Sequence, residues 1–341
     1  SGQIMVYVPN LDPSWVSNPK VAGNIDQAVE INQPGSSFKP IVYLAWMDAL
    51  KKTPMSSLWD TSPLPLRDPS VTRENQVLIT NPRPGSGGEG LITARAGLGG
   101  SQNVPAFRAA NEVGVDQVIA YAKKMGITTL DQHFDPTFRD HKSIGYGESI
   151  ATGGANVRVV DMAYANATIS NMGLMVGVPT YAGTFDMESL ASGTEENAGA
   201  QKRAFIRGDL RLPGTRSVDP VTVLEVRSAD GRVLYSLGDD LQRVQVVDGG
   251  SVWMVHSIIS DCTSRFIIWS CGGSNDDLAL DVFLDGDKIP MGVKTGTQQG
   301  ATINDTLETW MNGYTRYAAT AVWVGNADNS LVRDGPSANY A

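Results

Sequence analysis

Hydrophobic and polar positions along the chain predict a mixture of strands and helices. Apolar residues alternate over residues 3–8, in a run rich in strand formers, and this pattern is typical of a strand. Over residues 36–52 the apolar positions change to helical spacing, and Pro54 ends the predicted helix. Shorter helices are predicted at residues 115–124, 156–171 and 252–259.

The end of the chain favours strands. A hairpin is predicted from residues 221–227 and 233–237, which are joined through a turn at Asp230 and Gly231. Further strands are predicted at residues 291–297, 307–314 and 317–325, of which the last two are antiparallel neighbours. This order predicts an α+β fold in which the N-terminal and C-terminal strands share one antiparallel sheet and the helical middle forms a second lobe. We expect a site in the cleft between them.

Composition narrows the class of protein. The 341 residues fit one large domain or two closely packed domains, and 41% of them are hydrophobic. The net charge of −9 argues against a nucleic-acid partner, which needs a basic face. No apolar run approaches the roughly 18 residues needed to cross a membrane, so the chain as given is predicted to be soluble.

Cysteine and histidine are scarce. The chain has two cysteines, Cys262 and Cys271, and three histidines, His133, His141 and His256. None of these pairs has the spacing of zinc ligands, so we expect no metal and no cofactor. A serine hydrolase that uses a histidine base has only three candidates, and we assign no role to the two histidines in the polar loop.

The first chemical motif runs from Ser36 to Lys39 and follows Pro34-Gly35. A helix that begins here places Lys39 one turn from Ser36 on the same face. A serine hydroxyl needs a base to become a nucleophile, and a lysine with a lowered pKa can serve. The alternative is a helix cap with a surface lysine, because Ser-x-x-Lys occurs by chance about once in a chain this long.

A second motif, Ser101-Gln102-Asn103, precedes a helical segment. Its hydroxyl can relay a proton, and its carboxamide can hydrogen-bond a substrate amide. Taken alone it is equally typical of a loop or a helix cap.

The third motif, Lys294-Thr295-Gly296-Thr297, ends a predicted strand. Gly296 allows another backbone to approach closely. The charge of Lys294 and the two threonine hydroxyls together suit a carboxylate. The alternative is a strand end with an exposed lysine.

Together the three motifs form the signature of penicillin-binding proteins and class A β-lactamases. The chain resembles the transpeptidase domain of class A (bifunctional) penicillin-binding proteins. The similarity covers nearly the whole chain and includes residues 33–40, 103–106, 111–114, 222–235, 310–315 and 321–326.

This resemblance implies four catalytic residues. Ser36 would be the acylated nucleophile and Lys39 its base. Ser101 would relay a proton to the leaving amine, and Lys294 would support the proton network.

It also implies a set of groups that bind the substrate. Asn103 would hold the substrate's backbone amide, and Thr295, Gly296 and Thr297 would line the site, with the two threonines binding the carboxylate. The backbone N–H groups of Ser36 and Thr297 would form the oxyanion hole.

The resemblance implies an α+β fold of the penicillin-binding protein and serine β-lactamase type, with an antiparallel sheet flanked by helices and a mostly helical lobe. Residues 1–341 would form one transpeptidase domain, with the sheet-containing part at 1–51 and 176–341 and the lobe at about 52–175. A glycosyltransferase domain and a membrane anchor are expected upstream and are absent from this chain. The full-length protein would be anchored in the bacterial envelope, outside the cytoplasm.

The implied activity is that of a serine-type D-Ala-D-Ala transpeptidase or carboxypeptidase. Its partners would be peptidoglycan stem peptides, with β-lactams as covalent mimics. Two alternatives stay open: a serine β-lactamase, for which no Glu-x-x-Leu-Asn segment is found, and a β-lactam-binding sensor. The family pattern has a threonine where this chain has Gln298. An extracytoplasmic location also favours a disulfide between Cys262 and Cys271 over two buried thiols.

Overall fold

The computed structural model describes residues 1–65, 78–82, 87–131, 146–184, 200–201, 203–204, 208–265, 282–284, 286–300 and 305–332. The α-helices in these ranges are α1 Lys39–Leu50, α2 Ala94–Gly99, α3 Asn103–Val113, α4 Val115–Met125, α5 Val159–Ser170 and α6 Gly249–Ile259. The strands of the first half are β1 Ile31–Asn32, β2 Ser57–Asp60, β3 Leu64–Pro65, β4 Leu78–Ile79, β5 Gly90–Thr93, β6 Val157–Arg158 and β7 Leu174–Pro179. The remaining strands are β8 Gly183–Thr184, β9 Leu210–Arg211, β10 Val218–Asp219, β11 Glu225–Arg227, β12 Val233–Ser236, β13 Gln242–Gln245, β14 Val282–Leu284, β15 Asp287–Ile289, β16 Gly292–Gln299, β17 Thr306–Tyr314 and β18 Ala319–Gly325.

Helix α1 lies at the centre of the core. Its first nine residues are all buried, and it packs against α3, α4 and α6. A helix that is apolar on every side is stable only when other elements surround it. The helix predicted over residues 36–52 is confirmed, with a 3-10 turn, Gly35–Phe38, ahead of the α-helix. Lys51, in the left-handed conformation, closes it.

An antiparallel sheet of β16, β17 and β18 supports the other side of the core. Its register places Lys294 opposite Asn312 and Trp310 opposite Trp323. Helix α6 packs against β16, and α5 packs against β17 and β18. The expected fold, an antiparallel sheet flanked by helices, is confirmed.

The predicted strand over residues 3–8 is wrong. Gln3 forms an isolated parallel bridge with Val221, and the residues after it have no regular structure. Met5 and Val8 are 79% and 70% exposed. Alternation predicts a strand with one buried face, but here no element covers either face. The N-terminus therefore does not join the sheet of β16 to β18.

Several local predictions are confirmed. Helices α4, α5 and α6 occur where helical spacing predicted them, and β11 and β12 form the predicted hairpin, with Gly231 at a φ of +85°. Residues 53–104, which are rich in proline, glycine and serine, hold short elements: β2 paired with β5, and α2. Helix α5 belongs to the predicted helical lobe but packs on the sheet. The division of the chain into a sheet part and a helical lobe at residue 175 therefore stays a proposal.

Cys262 is disulfide-bonded. The partner predicted for it, Cys271, lies outside the described residues, as do His133 and His141. None of the helices in the described ranges is both long enough and apolar enough to cross a bilayer.

Candidate active site

The turn that carries Ser36 lies directly on the backbone of β16. Gly35 has a φ of +54°, and a Cβ there would be 2.6 Å from Thr297 O and 2.8 Å from Thr297 N. On its other side, a Cβ at Gly153 would lie 2.3 Å from Gly35 O. Only glycine fits such a close approach, so the sequence Pro-Gly-Ser sets both the start of the helix and its distance from the strand.

Gly296 makes the matching contact from the strand. A Cβ at this position would lie 2.1 Å from Pro34 O and 3.0 Å from Ser37 N. The strand motif predicted such a close backbone approach. Ser36 itself is partly exposed, and no hydrogen bond joins its Oγ to another described residue. In particular, no hydrogen bond joins Ser36 Oγ to Lys39 Nζ, the base that the resemblance implies.

Lys39 is fully buried beneath this turn. Its Nζ donates hydrogen bonds to Ser101 O at 2.6 Å and to Asn103 Oδ1 at 2.7 Å. Burial, and then the charge of Lys294, hold the pKa of Lys39 well below its ordinary value of 10.5. A neutral amine has two N–H bonds, and these two contacts use both. Its lone pair remains to accept a proton.

Ser101 connects the two lysines. Its Oγ accepts a hydrogen bond from Lys294 Nζ at 2.8 Å and lies 3.4 Å from Lys39 Nζ. Ser101 is buried between α2 and α3 with a φ of +52°, a left-handed conformation that costs a residue with a Cβ about 1–2 kcal/mol. Such strain is common at functional sites, where the surrounding structure maintains it.

Lys294 is buried, which rules out the alternative of an exposed lysine at a strand end. Its Nζ also donates to Thr295 O at 2.9 Å. Burial, and then the charge of Arg265, lower the pKa of Lys294 to about 7. Lys294 thus carries its charge for only part of the time near neutral pH, and the Lys39–Ser101–Lys294 chain can shift a proton in either direction.

No family model matches this chain. Among individual proteins, it is 24% identical over 315 residues to penicillin-binding protein 1A of Escherichia coli, an alignment that covers 88% of this chain and 34% of that protein. The chain is a homologue of penicillin-binding protein 1A. It spans about a third of the length of the E. coli relative.

Solved structures show that this penicillin-binding protein 1A homologue has the penicillin-binding protein fold. PonA1 from Mycobacterium tuberculosis in complex with penicillin V matches with a TM-score of 0.63 at 21% identity, over 97% of this chain and 72% of that one. The D,D-transpeptidase domain of a peptidoglycan glycosyltransferase from Eggerthella lenta matches with a TM-score of 0.57 at 15% identity, over 95% and 67% of the two chains.

The substrate-binding residues predicted for this chain lie at the start of α3 and on β16, the strand that contacts the turn of Ser36. Asn103 begins α3 and, besides its contact with Lys39, donates from Nδ2 to Thr80 O at 2.7 Å. Thr295 and Thr297 share one face of β16, opposite to Lys294, because side chains alternate along a strand. No hydrogen bond joins either threonine hydroxyl to another described residue, so both can receive a ligand.

Two buried charged residues near the site, Arg265 and Glu308, were not predicted from the sequence. Arg265 is buried near Lys294 and donates to Ile259 O, and nothing in its sequence surroundings predicts that position. Glu308 is 5% exposed and lies two residues before the core residue Trp310 on β17. Strand alternation puts Glu308 on the buried face with Trp310, and this phase is the signal that could have found it.

Proposed function

We propose that this chain is a serine D,D-transpeptidase that acts on peptidoglycan stem peptides ending in D-Ala-D-Ala. The observation that carries the proposal is the buried network of Lys39, Ser101 and Lys294 beside an unbonded Ser36 hydroxyl. Homology to penicillin-binding protein 1A, and the penicillin V complex of the structurally similar PonA1, support it.

The reaction divides into two acyl transfers. Ser36 Oγ attacks the carbonyl of the penultimate D-Ala while Lys39 Nζ takes the hydroxyl proton. The peptide C–N bond then breaks, and the leaving D-Ala nitrogen receives a proton through Ser101. An acceptor amine attacks the Ser36 ester, passes its proton back through the same network and releases the cross-linked peptide and the free hydroxyl. Water as the acceptor gives the carboxypeptidase reaction.

Substrate binding uses the groups that flank this network. The N–H groups of Ser36 and Thr297 would stabilise the oxyanion, and the close contact between Thr297 and Gly35, the residue before Ser36, supports this pairing. The carboxamide of Asn103 would bind the peptide backbone of the substrate. The hydroxyls of Thr295 and Thr297, with Gly296 between them, would bind the terminal carboxylate.

β-Lactams would acylate Ser36 as mimics of D-Ala-D-Ala. Their leaving nitrogen stays tethered to the acyl group, so the ester persists unless a base directs water at it. We place the sheet part at residues 1–51 and 176–341, the helical lobe at about 52–175, and the enzyme outside the cytoplasm. Any membrane anchor would belong to the longer protein.

Mass spectrometry after mixing with penicillin tests the proposal. We expect one covalent adduct that maps to Ser36 and is still present after an hour. Ser36→Ala should abolish it. Ser37→Ala is the matched control, because the Ser37 hydroxyl already donates a hydrogen bond to Pro34 O at 2.7 Å. This variant should be labelled like the unaltered chain.

The other outcomes separate the alternatives. An adduct on a different residue would refute the site. An adduct that disappears while hydrolysed drug accumulates would favour a β-lactamase. A persistent adduct without transfer of a D-Ala-D-Ala peptide to an amine acceptor would favour a sensor.

A further inference from the structure

Glu308 lies on the face of β17 that points into the core, behind the turn that carries Ser36. Its Oε2 accepts a hydrogen bond from Trp323 Nε1 at 2.7 Å. The residue opposite Glu308 on β18 is Gly325, and a Cβ there would lie 2.4 Å from the Trp323 ring. The missing side chain thus gives the indole the space from which it reaches the carboxyl.

On the other side of Glu308, β16 presents Gln298. The two residues are register partners, so their Cβ atoms face the same side about 4.5–5.5 Å apart. Gln298 Oε1 is buried and accepts no hydrogen bond from the described part of the chain. A buried amide oxygen without a donor is costly, about 1–3 kcal/mol. A protonated Glu308 carboxyl has an O–H that can supply the donor.

The carboxyl also faces the chain that leads to Ser36. The pKa of Glu308 is raised to about 7, by burial above all, against the opposing effects of Trp323, of Trp310 and of the backbone N–H of Gln33. Each of these groups is neutral, and no charged side chain of the described residues contributes. Neither Trp310 Nε1 nor the backbone N–H of Gln33 forms a hydrogen bond with Glu308 by distance and angle, so Trp323 is the donor that the described structure shows. Glu308 is therefore largely protonated below neutral pH.

Glu308 lies close to the segment that leads to the nucleophile, Ser36. Gln33 is followed directly by Pro34, whose carbonyl packs on Gly296, and by Gly35, which packs on Thr297. Strand β17 itself contacts the turn of Ser36. Glu308 thus lies where β16, β17, β18 and the entrance to the turn meet.

We propose that Glu308 is a positioning residue that, as a neutral carboxyl, joins Gln298 on β16 to Trp323 on β18 and so holds the turn of Ser36, which packs on β16 and β17, against the sheet. Ionisation of Glu308 would remove the O–H donor and leave a buried charge between neutral groups. The turn would loosen, and acylation of Ser36 would slow. The inference rests on the proposed function.

The test compares Glu308→Gln with the unaltered chain in stopped-flow acylation by a fluorescent penicillin from pH 6 to 8.5. A glutamine keeps an acceptor for Trp323 and a donor for Gln298, but it does not ionise. At pH 6 the two acylation rate constants should agree within about threefold. The ratio of the variant's acylation rate constant to that of the unaltered chain should be about tenfold higher at pH 8.5 than at pH 6. A group with a pKa near 7 is almost wholly ionised at pH 8.5.

Glu112→Gln is the matched control, because Glu112 accepts from Trp46 Nε1 at 2.8 Å but lies away from the turn. The ratio of its acylation rate constant to that of the unaltered chain should not change with pH. Glu308→Ala should lower the acylation rate constant at every pH with little change in the initial binding of penicillin.

A ratio for Glu308→Gln that is independent of pH, or an effect on binding alone, would overturn this inference while leaving the proposed function intact. The proposed function fails separately if the unaltered chain forms no adduct at Ser36. If Glu308→Ala does not fold, the pH dependence of Glu308→Gln decides by itself.

Discussion

The backbones of Gly35 and Thr297 touch, and a Cβ on Gly35 would lie 2.6 Å from Thr297 O. Gly35→Ala should therefore push the Ser36 turn away from β16 as well as strain a left-handed φ. We expect acylation by penicillin to fall at least about a hundredfold, because reacting groups displaced by 1 Å lose about that factor. Stopped-flow labelling measures the loss.

Gly231→Ala separates strain from displacement. Gly231 has a φ of +85°, but a Cβ there would meet nothing within 4 Å. This variant should lose about 1–2 kcal/mol of unfolding free energy and keep its acylation rate. Equal acylation by the two variants would mean that the contact between Gly35 and Thr297 is incidental.

Lys39→Arg should be as inactive as Lys39→Ala. A guanidinium keeps its proton, so it cannot accept one from Ser36. We expect acylation to fall by about 10²–10⁴, the usual contribution of a general base. Lys123→Arg is the matched control, because burial also lowers the pKa of Lys123, on the distant helix α4. Appreciable acylation by Lys39→Arg would assign the base to another group.

Lys294→Met should stabilise the fold while it slows acylation by orders of magnitude. The folded pKa of about 7 lies below the ordinary 10.5, so the unfolded chain binds this proton more tightly. The resulting destabilisation is fully present below pH 7 and is relieved as pH rises toward 10.5. We expect the free energy of unfolding of the variant to exceed that of the unaltered chain by about 2–4 kcal/mol at pH 7, and by less at pH 9.5. Urea unfolding at both pH values measures the difference, and a gain that does not change with pH would contradict the assignment.

Ser101→Gly and Ser101→Ala should differ in stability but not in chemistry. Both remove the hydroxyl that joins the two lysines, so both should slow acylation. Glycine also relieves the φ of +52°, whereas alanine keeps it. Thermal or urea unfolding should show the glycine variant to be more stable by about 1 kcal/mol. The reverse order would mean that the conformation carries no strain.

Local sequence predicted the elements that hold the site. Proline and glycine before Ser36 indicated the start of a helix, and the strand-rich end of the chain indicated the strand of Lys294 over residues 291–297. Both signals are local because turn geometry and strand period depend on neighbouring residues.

The long-range features could not be predicted in this way. Residues 3–8 have the alternation of a strand, but only the tertiary structure decides whether a sheet edge is available to them. Arg265 and Glu308 act on the site through packing across separate elements, and no short motif encodes that. The pKa of Lys294 near 7 likewise depends on burial that sequence spacing does not contain.

The hydrogen bond from Lys294 to Ser101 joins positions 193 residues apart, and Lys39 reaches Ser101 from a third segment. A chain in which the segment of Ser101 has not yet docked on β16 lacks the network, even if the turn of Ser36 has formed. Covalent labelling by penicillin therefore reports on folding. In a refolding experiment, the labelled fraction at each time gives the fraction of molecules in which these distant segments have come together. Far-ultraviolet circular dichroism should recover before labelling does, and the interval between the two signals would time the docking of the Ser101 segment, between α2 and α3, onto β16.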